Sequence, residues 1–328
     1  MRFFRPVLAM KYSHFFVTSA FTLLLAAMTV VGCSSDDAAL LSDLSGYVIV
    51  STATTGPATG PGLASVFDSD GNLDMVIQDG FAGGTAYPSG TAYLGNAVVA
   101  VYEEVNESLE KINLLTGDVV SISDPNITAN PIRQLAGDSE GSVYITESNL
   151  NTVEKIDSDG DRVGNPYIAT TTGSCVLASP WGIAHDTDNN RIAVISSAAS
   201  GRFSLYNSDG TCNTHTTAAP FNSGTPTAIC YHALSGKFIV TFSTSHAIFS
   251  VSATGGSGTQ IYLNSSIINT PRSVGCASDG SIYVGSDGTD TVEKLSYDGT
   301  GVATRALPGP FAGPGIYTQN PTSVTVIP

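Results

Sequence analysis

The chain has 328 residues, enough for one large domain or two ordinary ones, and a hydrophobic share of 42% excludes disorder throughout. With 34 glycines, 16 prolines and only 12% charged residues it reads as many short strands joined by turns, poor in helix. Lys and Arg total 13 against 28 Asp and Glu, a formal charge of −15, and so acidic a body repels phosphate polymers and excludes nucleic acid as a partner.

The first 32 residues read as an export signal. A basic start (Arg2, Arg5, Lys11) precedes the apolar run FFVTSAFTLLLAAMTVV at 15–31, too short and too abruptly ended for a membrane span. Met10 would give a more compact signal than Met1. Val30-Val31-Gly32-Cys33 resembles the lipobox of bacterial lipoproteins. That resemblance implies cleavage before Cys33, diacylglycerol on its sulfur and acylation (palmitate or similar) of the new amine, an anchor of several chains. Ser34 in place of Asp after the cysteine points to the outer membrane, and SSDDAALLSDL (34–44) reads as a polar tether.

From residue 45 the strand signals recur. GYVIVST (46–52) is dense in β-branched residues, and LASVFDSDG (63–71) and NLDMVI (72–77) follow as two further strands around an Asp-Gly turn. A strand-opening proline then returns at Pro88, Pro131, Pro180, Pro226, Pro271 and Pro321, at separations of 43, 49, 46, 45 and 50 residues. That period is right for a four-stranded propeller blade. Each unit carries a first strand after its proline (GIAHD, AICYH, SVGCA) and a strongly β-branched or aromatic second (SVYIT, RIAVIS, KFIVTF, SIYVGS). A third ends at a tight turn (TVEKIDSDGD, RFSLYNSDG, TVEKLSYDG), and a weaker fourth follows (DVVSIS, TQIYL, VATRAL).

The N-terminal unit lacks a first strand, and the C-terminal PTSVTVIP is a first strand with nothing after it. Joined, they complete a six-bladed all-β propeller over residues 45–328, with seven blades as the competing count. The expected blades are 45–87 with 321–328, then 88–130, 131–179, 180–225, 226–270 and 271–320. Pro180-Trp181-Gly182-Ile183-Ala184-His185-Asp186 resembles the opening of the NHL repeat, and PIRQLAGDSEGSVYI and PRSVGCASDGSIYV match it in part.

Four cysteines remain after Cys33, and export permits disulfides. Cys230 and Cys276 lie four and five residues after their prolines on neighbouring inner strands, so they point to opposite sheet faces, as a bridge between blades requires. Cys175 and Cys212 are left as the second candidate pair, with buried thiols as the alternative. Asp68-Ser69-Asp70-Gly71-Asn72 and Asp157-Ser158-Asp159-Gly160-Asp161 carry glycine fourth where a calcium loop needs it sixth, and read as turns.

No nucleophile elbow or phosphate loop is present, so no catalytic residue and no cofactor is assigned. His185, Tyr231, His232 and Asp279 fall at or just past the ends of inner strands and read as turn and channel structure. The opposite rim, where first strands begin and second strands hand over to third, collects Arg133, Glu147, Trp181, His246, Arg272 and Asp287. Two Gly/Pro-rich loops, at 52–62 and 307–321, add Phe311 and Tyr317 as an exposed apolar patch. The expectation is a monomeric, non-catalytic envelope lipoprotein that presents this rim to a protein or glycan. The alternative resembles the metal-dependent lactonases and sugar-acid hydrolases on six-bladed propellers, a likeness that implies a divalent cation held by Glu147, Asn149 and Asp287.

Overall fold

The computed structural model describes residues 44–52, 63–77, 88–104, 107–122, 127, 132–197, 201–314 and 318–328. Six antiparallel sheets follow one another in chain order, each inner strand packed on those of the blades before and after it, and the sixth packs on the first. The sixth inner strand in chain order, Pro321–Val326, is the innermost strand of blade one, where it pairs with Val48–Thr52. Val48 faces Val326 and Val50 faces Val324, so the two ends of the chain are stitched within one sheet. The export signal, the cysteine at 33 and nearly all of the tether lie outside the described residues. Among the described residues no helix is long and apolar enough to cross a membrane.

Within a blade, burial falls from the axis outwards. The second strands, such as Arg191–Ser196, Lys237–Phe242 and Ser281–Ser286, bury almost every residue because both faces meet a neighbouring blade. Their unbroken β-branched and aromatic runs supply the apolar side chains that both faces need. Fourth strands such as Leu73–Ile77 and Val119–Ile122 lie at the perimeter and leave most side chains exposed. The leading Asp of each Asp-x-Asp-Gly turn uses its carboxylate on its own loop. Asp68 Oδ1 accepts from the Asp70 and Asn72 amides at 3.0 and 2.8 Å, and Asp157 does the same for Asp159 and Asp161. Both loops are therefore hairpin turns, as their glycine spacing indicated, with Gly71 and Gly160 at positive φ.

Blade three departs from the pattern. It has three regular strands, Ile132–Gly137, Val143–Glu147 and Thr152–Ile156. The fourth place is filled by a segment that forms no regular strand and meets the third through isolated bridges at Ile156–Arg162 and Val153–Ile168, with Arg162 Nε also donating to Glu154 at 2.8 Å. Gly164 and Pro166 lie between those bridges, and a proline there cannot donate to a ladder. A two-residue-per-arm hairpin, Thr171–Thr172 with Cys175–Val176, follows. The frame of this blade also starts one residue late: Ile132 pairs where the other blades place their proline.

Both cysteine pairs are bonded. Cys230–Cys276 joins the inner strands Pro226–His232 and Pro271–Cys276 of blades five and six, with Cα atoms 5.7 Å apart. Cys175–Cys212 ties the small hairpin of blade three to the outer strand of blade four, Cys212–Thr216, at 5.6 Å.

Candidate functional site

A propeller offers two mouths to its axial channel, the upper where inner strands begin and the lower where they end. At the upper mouth every inner strand shifts register by one residue just after its first position. A bulge re-aims the side chain it carries. The six bulge positions are Ser89, Arg133, Trp181, Thr227, Arg272 and Thr322, one per blade. Two of them clamp the next blade: Thr227 Oγ1 donates to the Pro271 carbonyl at 2.7 Å, and Thr322 Oγ1 to that of Pro88 at 2.8 Å. Trp181 is half-buried, and its carbonyl accepts from Thr146 Oγ1 at 3.4 Å.

Arg272 meets Asp287 from the following handover loop, Nε to Oδ2 at 2.9 Å, with the arginine side chain 43% exposed. The fold thus joins two of the expected rim residues directly. His246 is used internally, its Nδ1 accepting from the Thr270 amide at 2.9 Å. Glu147 is fully buried, and its Oε2 accepts from Thr152 Oγ1 at 3.3 Å. Tyr317 and the side chain of Arg133 lie outside the described residues.

The exposed apolar patch expected around Phe311 is a correction. Phe311 is only 4% exposed and packs inward against Tyr283 and Phe67, with ring centroids 4.8 and 6.4 Å away. The Gly/Pro-rich loop turns its aromatic ring into the groove between blades six and one, where burial is worth a few kcal/mol. As for a cation site, Glu147 and Asp287 belong to blades three and six, on opposite sides of the ring, and Asp287 is engaged with Arg272. Among the described residues no three His, Cys, Asp or Glu side chains gather to hold a metal.

Just below the bulge ring the channel is shut by one side chain. The corresponding positions of the other blades are Gly90, Gly182, Ala228, Ser273 and Ser323; in blade three it is Gln134. Its Nε2 donates to the Ile229 carbonyl at 2.7 Å, and its Oε1 accepts from the amides of Ile229 at 3.2 Å and Ile183 at 3.3 Å. The glutamine thus crosses from blade three to blades four and five, and satisfies inner-strand backbone groups that face the channel. A lone long side chain among small ones is the signal that a six-way alignment of the repeat would have exposed.

Beneath Gln134 the channel opens into a cavity of about 460 Å³ that reaches the lower mouth. The four residues expected to serve structure near this end do so. His232 is fully buried between Ser235 Oγ at 2.7 Å and the Gly280 carbonyl at 3.1 Å, and Asp279 accepts from the Ser281 amide at 2.8 Å. His185 Nε2 lies 2.9 Å from Asn190 Oδ1, and the Tyr231 hydroxyl donates to Asp188 at 2.6 Å. Burial, helped by Asp188, pushes the Tyr231 phenol well above its ordinary pKa, so it acts as a donor and not as a base.

No protein-family model matches the chain, and no curated protein does. Solved structures do match. A chain of the nidogen/laminin complex shares 14% identity over 86% of this chain and 98% of its own, with a TM-score of 0.65. A streptogramin B lyase shares 17% over 67% and 70%, with a TM-score of 0.54. Hydrazine synthase of Kuenenia stuttgartiensis shares 12% over 72% and 71%, also at 0.54. At these identities the likeness is one of fold, and the chain shares its β-propeller architecture with both enzymes and a member of a protein complex.

Proposed function

We propose that this chain is an exported, lipid-anchored binding propeller: a monomeric outer-membrane lipoprotein, tethered through Cys33, that presents its upper mouth to a protein or glycan and carries out no chemistry itself. The repeat is read as NHL-like on the strength of the Pro180–Asp186 opening and its partial copies. The observation that carries the binding role is the bulge ring, in which Trp181 and the exposed Arg272–Asp287 pair sit on a rigid frame with the channel sealed behind them by Gln134. Tryptophan and arginine are among the side chains that dominate protein contacts, and a flat aromatic face also stacks on sugar rings. Two disulfides support export, because such bonds persist outside the reducing cytoplasm. The nidogen/laminin match adds a ring of this shape inside a protein complex.

Crosslinking in intact cells with the full chain, against W181A and R272A variants, tests the rim. The expected result is one envelope partner captured by the parent chain and lost from both variants; capture unchanged by either substitution would move the site elsewhere. Labelling with a fatty-acid analogue, with and without Cys33→Ala, tests the anchor separately.

A further inference from the structure

The lower cavity is a second site, at the opposite end of the channel from the proposed rim and independent of it. Its roof is Gln134, and the gap beside that side chain, between it and Ser273, Val274, Ser323 and Val324, has no room for a water molecule. Its width comes from one layer of short side chains, two residues below the glutamine: Ala92, Ala136, Ala184, Cys230, Gly275 and Thr325. The layer between supplies aliphatic wall, from Leu135, Ile183, Ile229, Val274 and Val324. The Cys230–Cys276 bridge is part of the same wall and holds blades five and six together without placing a bulky side chain in the channel.

The charge along this wall is accounted for. Asp138 is 7% exposed, takes Lys155 Nζ at 3.3 Å and accepts from the Tyr144 hydroxyl at 3.0 Å. Tyr231 is committed to Asp188. Among the described residues no lysine or arginine lines the cavity, and the protein carries −15 overall, so an anion gains little on entry. A volume of 460 Å³ lies within the range of roughly 300–1,000 Å³ that small-molecule pockets occupy.

We infer that this cavity binds one uncharged, largely apolar small molecule. Aliphatic wall supplies the affinity by desolvation, and a lining without lysine or arginine, in a protein of net charge −15, discriminates against carboxylates and sulfonates. The bound molecule enters from the lower mouth, since Gln134 bars the upper.

The test uses a matched pair of fluorescent probes on the purified full chain: neutral N-phenyl-1-naphthylamine, and an anilinonaphthalene sulfonate of the same size with a negative charge. The neutral probe is expected to saturate at one site per chain, at least tenfold tighter than the sulfonate. Ala136→Leu with Ala184→Leu should weaken it tenfold or more, because both alanines line the cavity and the added side chains take up its volume. Should that variant fold poorly, Cys230→Ser leaves the Cys276 thiol in the wall. Its reaction with a small maleimide should then slow at least fivefold when the neutral probe is present. Non-saturable binding, equal affinity for the sulfonate, unchanged affinity in a folded double-leucine variant, or thiol reactivity indifferent to the probe would each overturn the proposal.

Discussion

Two seams between inner strands are closed by different chemistry. Between blades five and six the link is the Cys230–Cys276 bond, across 46 residues of chain. Between blades one and two, where residues 232 to 234 apart must meet, the link is a set of hydroxyls. Thr91 Oγ1 lies 2.9 Å from Ser323 Oγ and 2.8 Å from Thr325 Oγ1, and Thr325 Oγ1 donates to the Thr91 carbonyl at 2.9 Å. Closing the longer loop costs about 1.4 kcal/mol more in chain entropy than closing the shorter. The pairing of Pro321–Val326 with Val48–Thr52 and the burial of both supply that closure, while the hydroxyls set how the closing strand sits against blade two. Directional hydrogen bonds thus fix alignment at the seam closed by strand pairing, and a covalent bond holds the seam that lines the cavity.

The largest effect on this comparison is expected from Gly285→Val. A Cβ at Gly285 would stand 2.1 Å from Ser273 Oγ and 3.0 Å from Pro321, at the place where blade six receives the closing strand. Loss of about 3 kcal/mol, read as a lower urea midpoint and faster proteolysis of the C-terminal strand, should follow. Cys230→Ser with Cys276→Ser should cost about 2–4 kcal/mol by removing the constraint on a 46-residue loop. Reducing the parent protein should reproduce that loss, and failure to do so would show the bond to be energetically idle. At the hydroxyl seam, Thr91→Val should cost about 1–2 kcal/mol by stranding Ser323 and Thr325, while Thr91→Ser should restore most of it.

A smaller effect concerns acid. Burial works against the Asp186 carboxylate, but hydrogen bonds from Arg191 and Asn189 outweigh it and hold its pKa below the ordinary value. Asp138 is likewise depressed, burial being outweighed by the Ser142 amide, Tyr144 and Lys155. Since both acids are more easily ionised folded than unfolded, their stabilisation is present above about pH 4 and is lost as pH falls through the folded values. Denaturant melts between pH 6 and pH 2 should show this limb, and Arg191→Ala should flatten it by about 1 kcal/mol. The smallest change in stability belongs to Arg272→Ala. Its ion pair is 43% and 23% exposed, so the loss should stay under about 1 kcal/mol even where partner capture is abolished.

Much of the ring was legible in the residues. The recurring prolines mark inner strands because proline cannot donate to a ladder and tolerates the channel edge. The missing first strand at one end and the surplus one at the other could be matched before any coordinate was known. Parity along the strands placed Cys230 against Cys276, since side chains alternate faces with a period of two. Phe311 was not legible, because whether an aromatic in a Gly/Pro-rich loop turns in or out depends on a groove formed by Phe67 and Tyr283, far away in the chain. Blade three slipped by one residue because Ile132 holds the first paired position of its inner strand.

Local chemistry alone thus carried the strand repeat and the closing of the ring by its two ends, and it favoured six blades over seven and a bridge over free inner thiols, since each rests on backbone donors, side-chain alternation or spacing along the chain. Only the tertiary structure decided which mouth is shut and which opens. A cavity is the space left between strands from six separate blades, and neither the reach of Gln134 to Ile183 and Ile229 nor the shortness of the layer beneath it has meaning until those strands stand around one axis.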